Sequence, residues 1–234
     1  MLRFCYIVSM KRGNYKFDFF ELDLLSSKIG ERLVQAFNPY QEGERSTRYS
    51  VKRNWCQVQR LADKKWNLWN GRRLIFPEWY DSLTTNYGFA TVYKEDKCNF
   101  CLYETGRLVL NVWAEHPGHS IAFTYKRKRR SDKGKNNSPF PVLAYFPDSY
   151  HHRVVGYDWK RGEKIIDCAG DDLRNLGGAY LVYHWDQKKR DEGMYEANRW
   201  SFIGLDGTVL AEFGTEERGK AEWVYEYYNK EWEI

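Results

Sequence analysis

Two cysteines and two histidines have the spacing of a metal site. Cys98 and Cys101 are two residues apart, and His116 and His119 repeat that spacing after fourteen more residues. Two thiolates and two imidazoles so arranged resemble a Cys2His2 zinc set, although the histidine pair is one residue closer than usual. Tetrahedral ligation requires Cys98 and Cys101 to sit at a turn, because residues three apart in a continuous strand face opposite sides. Phe100, Leu102 and Tyr103 read as strand, whereas His116-Pro117-Gly118-His119 reads as a turn. The expectation is two buried strand cysteines, two turn histidines and no metal or cofactor.

Other groups are weaker candidates. Tyr150-His151-His152 offers two imidazoles, but adjacent strand side chains diverge and no nucleophile is paired with them. His184 stands at a strand end beside Trp185 and Asp186. The acid pairs Asp171-Asp172 and Glu216-Glu217 are explained by a turn and a helix start. No glycine-rich phosphate loop, G-x-S-x-G or H-E-x-x-H occurs. No catalytic residue is assigned, and an enzyme is not expected.

The strongest charge feature is the run from Lys126 to Asn137. It carries Lys126, Arg127, Lys128, Arg129, Arg130, Lys133 and Lys135 against the single acid Asp132. Its net charge of +6 exceeds the chain's +5, so the remainder sums to −1. Such a loop grips phosphates or an acidic protein, or it is a solvated hairpin tip beside Ser, Gly and Asn. A dedicated nucleic-acid binder carries more basic surface than one loop. These seven residues are the candidate binding residues. The stretch from Glu212 to Glu233 is acidic, with seven acids against three bases.

The 234 residues allow one or two domains with a real core. No apolar stretch approaches the roughly 18 residues of a membrane-spanning helix. The N-terminal run Arg3–Met10 is too short and too polar for a secretory signal and reads as a strand. Five scattered cysteines, Cys5, Cys56, Cys98, Cys101 and Cys168, make no disulfide framework. A reducing cytoplasm is the expected compartment. The 10 Trp, 18 Tyr and 13 Phe lean toward sheet. Trp66, Trp69, Trp79, Trp113, Trp159, Trp185, Trp200 and Trp223 suit a stacking platform for bases or sugars in type. Most of them recur in repeat register, which favours core packing.

The elements that must position these groups follow from periodicity. Tyr15–Asp23 reads as a strand. Ser26 or Ser27 is placed to cap a helix through about Phe37, with Ile29, Leu33, Val34 and Phe37 at helical spacing. From Tyr49 to Leu210 short apolar-aromatic runs alternate with Gly, Asn and Asp turns, a β pattern. Ala221, Val224, Tyr227 or Tyr228, and Trp232 then predict an amphipathic helix over Glu217–Trp232.

An internal repeat organises the middle. A shift of 90 residues aligns Trp69–Tyr93 with Trp159–Tyr183 without a gap. Trp69/Trp159, Ile75/Ile165, Asp81/Asp171, Leu83/Leu173, Gly88/Gly178, Val92/Val182 and Tyr93/Tyr183 are identical. The match resumes after an insertion of about twelve residues, with Lys97-Cys98-Asn99-Phe100 facing Arg199-Trp200-Ser201-Phe202. A smaller element recurs inside each copy: a basic residue, usually Trp, a small polar residue, an apolar residue, a turn ending in Gly, and an apolar strand. Lys65-Trp66-Asn67-Leu68 leads to Gly71 and Leu74-Ile75-Phe76; Arg199-Trp200-Ser201-Phe202 leads to Gly207 and Val209-Leu210. This is a β-hairpin unit, which must stack on neighbours to bury its face.

These residues resemble the WG-repeat (KWG) family in degenerate form over about residues 49–212. Lys64-Lys65-Trp66-Asn67-Leu68 with Gly71, and Asn198-Arg199-Trp200-Ser201-Phe202 with Asp206-Gly207, carry the likeness. Asn67, Asn99 and Ser201 replace the family's second-position Gly, and Cys98 takes a Trp slot. The resemblance implies a β-rich array, no shared catalytic residues and a role in protein interaction.

The expected fold is mainly β, antiparallel hairpin repeats with a C-terminal helix and a short N-terminal strand/helix element. Its expected segments are 1–48, a first β unit at 49–125, the basic loop at 126–137, a second β unit at 138–213 and the helix at 214–234. The expected function is a non-enzymatic protein-interaction module, of inhibitor, immunity or scaffold type, whose partner is another protein. The alternative is a nucleic-acid-associated component using the loop at 126–135. No membrane partner is expected.

Overall fold

The computed structural model describes residues 19–31, 34–37, 55–86, 88–115, 121–125, 141–148, 151–194 and 196–231. The strand expected at Arg3–Met10 and the opening residues of the one expected at Tyr15–Asp23 lie outside them, as does the whole basic loop. The described residues are mainly β, in four antiparallel sheets with three short helices. No helix among them is long and apolar enough to cross a membrane.

The chain divides into two units. The first runs to Val109 and takes in Trp113–Glu115. It opens with helix α1 (Phe19–Ile29) and a three-stranded sheet of β1 (Val34–Phe37), β2 (Cys56–Arg60) and β3 (Trp66–Trp69). Its second sheet is the meander β4 (Ser82–Thr85), β5 (Phe89–Lys94), β6 (Lys97–Leu102) and β7 (Ala114–Glu115). Leu68, Ile75, Phe76, Tyr80, Ala90, Val92 and Cys101 form one buried cluster, and Leu25, Val34, Val58 and Trp69 belong to another.

The second unit takes Leu110–Val112 and the chain from β8 onward. Strands β8 (Ala122–Tyr125), β9 (Pro141–Asp148), β10 (Arg153–Asp158) and β11 (Lys164–Ala169) form one meander. Strands β12 (Asp172–Asn175), β13 (Ala179–Trp185), β14 (Ala197–Gly204) and β15 (Val209–Gly214) form the other. Helix α2 (Gln187–Asp191) interrupts β13 and β14. After β15 a 3-10 turn (Thr215–Glu217) leads into helix α3 (Arg218–Glu231). The closing helix thus starts within a residue of its expected position. Ala221 and Val224 pack on Leu176, Leu181 and Phe202 as the helical spacing requires. Strand β8, expected within the 49–125 segment, pairs with β9 in the second unit.

The N-terminal element differs from its expected form. Residues 19–23 are helix rather than strand, and Val34–Phe37 is strand rather than the end of a helix. Gly30 decides this. It takes φ +80°, which ends a right-handed helix. Its N–H donates to Ser27 O and the N–H of Glu31 to Ser26 O, the paired bonds of a Schellman cap. The apolar face then begins earlier, with Leu22, Leu25 and Ile29 packed toward β1 and β2. Ser26, an N-cap by sequence, is buried near the C-terminus of α1, and its Oγ accepts from Val34 N at 3.2 Å.

The 90-residue repeat is a repeat of structure. Strands β4 and β12 start and end 90 residues apart, and Leu83↔Val92 matches Leu173↔Val182 in register. Asp81 N donates to Tyr93 O at 2.9 Å and Asp171 N to Tyr183 O at 2.8 Å. Tyr93 faces Cys98 across one hairpin as Tyr183 faces Trp200 across the other, so Cys98 stands where the second copy has Trp. Helix α2 and the residues up to β14 are the insertion seen in sequence.

Candidate functional site

Each repeat copy places one aspartate at the start of its sheet, and the two differ in setting. Asp81 accepts from Glu95 N at 2.6 Å and meets Lys65 Nζ at 3.3 Å in the open. The backbone bond to Glu95 is the leading cause that lowers its pKa. Asp171 accepts from Trp185 N at 2.9 Å, the equivalent bond, but is almost fully buried. His152 Nδ1 meets it at 2.5 Å and Arg190 Nη1 at 3.6 Å. His152 holds φ +50° in making this contact. Arg190 comes from α2, so the buried carboxylate anchors the insertion. Asp186 caps α2 by accepting from Lys189 N, and Lys189 pairs with Glu196 across its base.

Beside it lies a polar chain that crosses three strands. His184 on β13 faces Arg199 on β14, and Ser201 on β14 faces Glu212 on β15. Arg199 Nη2 is 3.0 Å from His184 Nδ1, His184 Nε2 is 2.9 Å from Ser201 Oγ, and Ser201 Oγ is 3.1 Å from Glu212 Oε1. The donors run one way. Guanidinium nitrogens only donate, so Nδ1 accepts and the neutral ring carries its proton on Nε2. That N–H donates to Ser201, whose own proton goes to Glu212. Burial, and then the Arg199 charge, hold the His184 pKa below its usual value, which keeps the ring neutral.

Serine beside histidine invites comparison with a nucleophile and its base. A base must accept the serine proton, and its far nitrogen must donate to an orienting acid. Here both directions are reversed. The arrangement ties the edge strand to the sheet. It does not activate an oxygen.

The residues expected from the zinc spacing are only partly within view. Cys98 and Cys101 are fully buried in β6 and, three apart, face opposite sides of the strand. Burial pushes both thiols up to about 12. Cys101 Sγ donates to Gly106 O at 3.0 Å. His116 and His119 lie outside the described residues. His151 pairs with Asp148 at 2.5 Å and His152 with Asp171, so the two imidazoles go to different acids. Lys126, Arg127, Lys128, Arg129, Arg130, Lys133 and Lys135 also lie outside the described residues, between the antiparallel neighbours β8 and β9. Five of the eight candidate tryptophans serve the cores, whereas Trp223 on α3 is 65% exposed. Trp69 and Trp159 are buried, Trp79, Trp113 and Trp200 pack against core clusters, and Arg60 lies 4.8 Å over the Trp79 ring.

No family model and no curated protein matches this sequence. Among solved structures, it is similar to a chain titled "KlHsv2 with loop 6CD replaced by a Gly-Ser linker". The identity is 11%, over 70% of this chain and 50% of that one, at a TM-score of 0.34. It is similar to Kluyveromyces lactis Hsv2 at 8% identity, over 71% of this chain and 68% of that one, at a TM-score of 0.26. This chain thus spans half the length of the first.

The feature that sequence reading misses is the tip of the β14–β15 hairpin. Leu205, Val209 and Leu210 are each more than half exposed. They surround a tight turn in which Gly204 N donates to Thr208 O, Gly207 N to Gly204 O, and Thr208 N to Asp206 Oδ1. By sequence Val209 and Leu210 are an apolar strand, which implies burial. Between Phe202 and Ile203 the pairing slips, so Phe202 faces Ala211 while Ile203 faces Val209. Leu210 is the extra residue of this bulge, and no sequence pattern announces it.

Proposed function

We propose that this chain is a non-enzymatic protein-interaction module built on degenerate WG-like β repeats, acting in the cytoplasm as an inhibitor, immunity-type or scaffold component. The observation that carries this reading is the hairpin tip. Three aliphatic side chains stand in water together on a braced turn, where adjacent apolar exposure favours a protein partner. The sheet behind it supports the same reading, because its Ser201 and His184 are committed to an internal chain with the wrong polarity for catalysis.

The second reading is a nucleic-acid-associated component. It rests on the concentration of seven bases within 126–135. Affinity capture from the source lysate separates the two, run with and without nuclease. A variant with Lys126, Arg127, Lys128, Arg129 and Arg130 changed to Gln runs beside the native chain. A stoichiometric protein that survives nuclease and is retained by the variant is the expected result. Recovery that vanishes with nuclease and with the variant makes the basic run the functional site.

A further inference from the structure

Resting on the interaction reading above, we propose that the open edge of β15 is the docking strand, and that it takes an extended partner segment of alternating aliphatic and basic residues. Strand β15 is last in its sheet and, among the described residues, pairs only with β14. Beyond the bulge the register is regular from Ala211 to Gly214. An edge of this kind offers backbone donors and acceptors to an added strand.

The side chains specify what is added. Ala211 and Phe213 turn inward to pack with Phe202 and Ala221. Glu212 falls on the opposite face and is exposed, and Leu210 stands exposed just before it. Carboxylates line the strip: Asp206 at the tip, Glu212 within the strand and Glu216 after it, all exposed. The neighbouring cations have acids or acceptors of their own. Arg199 donates to His184, Arg218 pairs with Glu196, and Lys220 pairs with Glu217. The strip is therefore aliphatic at Leu205, Val209 and Leu210, and its charges, at Asp206, Glu212 and Glu216, are all acidic. Opposite charges facing across strands stabilise pairing and like charges oppose it. A base opposite Glu212 and an aliphatic residue near Leu210 complement the strip. A second copy of β15 would add the same carboxylates to it and is disfavoured.

The test uses the full chain, labelled with 15N, and three synthetic octapeptides. One alternates Val and Lys, one alternates Val and Glu, and one is the Val-Lys peptide with alternate backbone amides N-methylated. The Val-Lys peptide is expected to shift and protect the amides of 209–214. The Val-Glu peptide should bind about tenfold more weakly or not at all, and N-methylation should abolish protection. The exposed substitutions Asp206→Lys and Glu216→Lys together should weaken Val-Lys binding about fourfold, roughly twofold for each surface charge contact. Leu210→Ser should weaken it as well. Absence of binding at millimolar peptide, equal binding of the N-methylated peptide, or equal binding by these variants overturns the proposal. The same variants are then run in the lysate capture. A partner they retain at native yield overturns β15 as the surface while the interaction reading stands. Loss of every protein partner from the native chain itself would end the interaction reading, whatever the peptides do.

Discussion

Gly207 lies against the carbonyl oxygen of Ile165. A Cβ at position 207 would stand 1.8 Å from that oxygen. Gly106 meets Ile75 O in the same way, where a Cβ would stand 2.4 Å away. Ile75 and Ile165 are partners in the 90-residue repeat, and both glycines take positive φ, +69° at Gly106 and +88° at Gly207. The turn of one hairpin is thus pressed onto the backbone of a preceding segment, once in each unit.

Gly207→Ala should therefore be strongly destabilising. The left-handed backbone costs about 1–2 kcal/mol for an L-residue. The contact adds to this, because a backbone carbonyl has no rotamer with which to yield. Gly193 is the control, with φ +80° and nothing within 4 Å of a Cβ. Gly193→Ala should lose only the conformational part, about 1 kcal/mol. Urea midpoints for the two variants check this, and equal losses would refute the contact argument.

Tyr80 makes the opposite prediction. Its ring is fully buried between Phe76 and Trp113, yet its hydroxyl has no hydrogen-bond partner among the described residues. A buried polar group left unsatisfied costs about 1–3 kcal/mol. Tyr80→Phe keeps the ring and removes that cost, so the midpoint should rise or hold. A loss above about 1 kcal/mol would reveal a partner, such as a buried water.

The two repeat aspartates should respond unequally to the same change. Asp171→Ala leaves Arg190 and the Trp185 N–H without their acid in a buried site, a loss of about 3 kcal/mol. Asp81→Ala removes an exposed ion pair and one backbone bond, about 1 kcal/mol. Thermal denaturation of both variants decides it. Proteolysis near α2 should also increase in Asp171→Ala alone, because the insertion then loses the contact between Arg190 and the buried carboxylate.

How much of this is legible in the sequence depends on whether the signal is local. The repeat is legible because a hairpin needs glycine and apolar residues at fixed offsets, and Ile75/Ile165 and Leu83/Leu173 obey them. The N-terminal element misleads because YKFDFFELD fits both periods, and Gly30, the residue that settles it, falls inside the helix that the spacing suggests. The chain Arg199–His184–Ser201–Glu212 is illegible for a different reason. Its members are 15, 17 and 11 residues apart, and only strand register brings them together. Leu210 looks like core because the bulge that leaves it unpaired and exposed has no compositional mark.

The polar chain gives a pH dependence whose sign follows from its donors. His184 is held neutral, with its pKa below the ordinary value near 6.5. In the unfolded chain it takes a proton below that value, whereas in the folded chain it resists. The unfolded state then binds more protons, so stability is complete above about pH 6.5 and is lost as the pH falls through it. Protonation also sets an Nδ1–H against the Arg199 guanidinium, donor against donor. His184→Gln retains a donor for Ser201 without a titrating ring, and should flatten this part of the curve. The difference in slope between native chain and variant should approach, at most, about 1.4 kcal/mol per pH unit just below pH 6.5. Ser201→Ala breaks the same chain without removing the titration. It should cost about 1–3 kcal/mol at neutral pH and leave a residual acid slope. A fluorophosphonate probe should leave Ser201 unlabelled in the native chain, since the serine proton already belongs to Glu212. Labelling at Ser201 would mean that the hydrogen bonds run the other way, with Nε2 accepting, and would reopen the catalytic reading of this sheet.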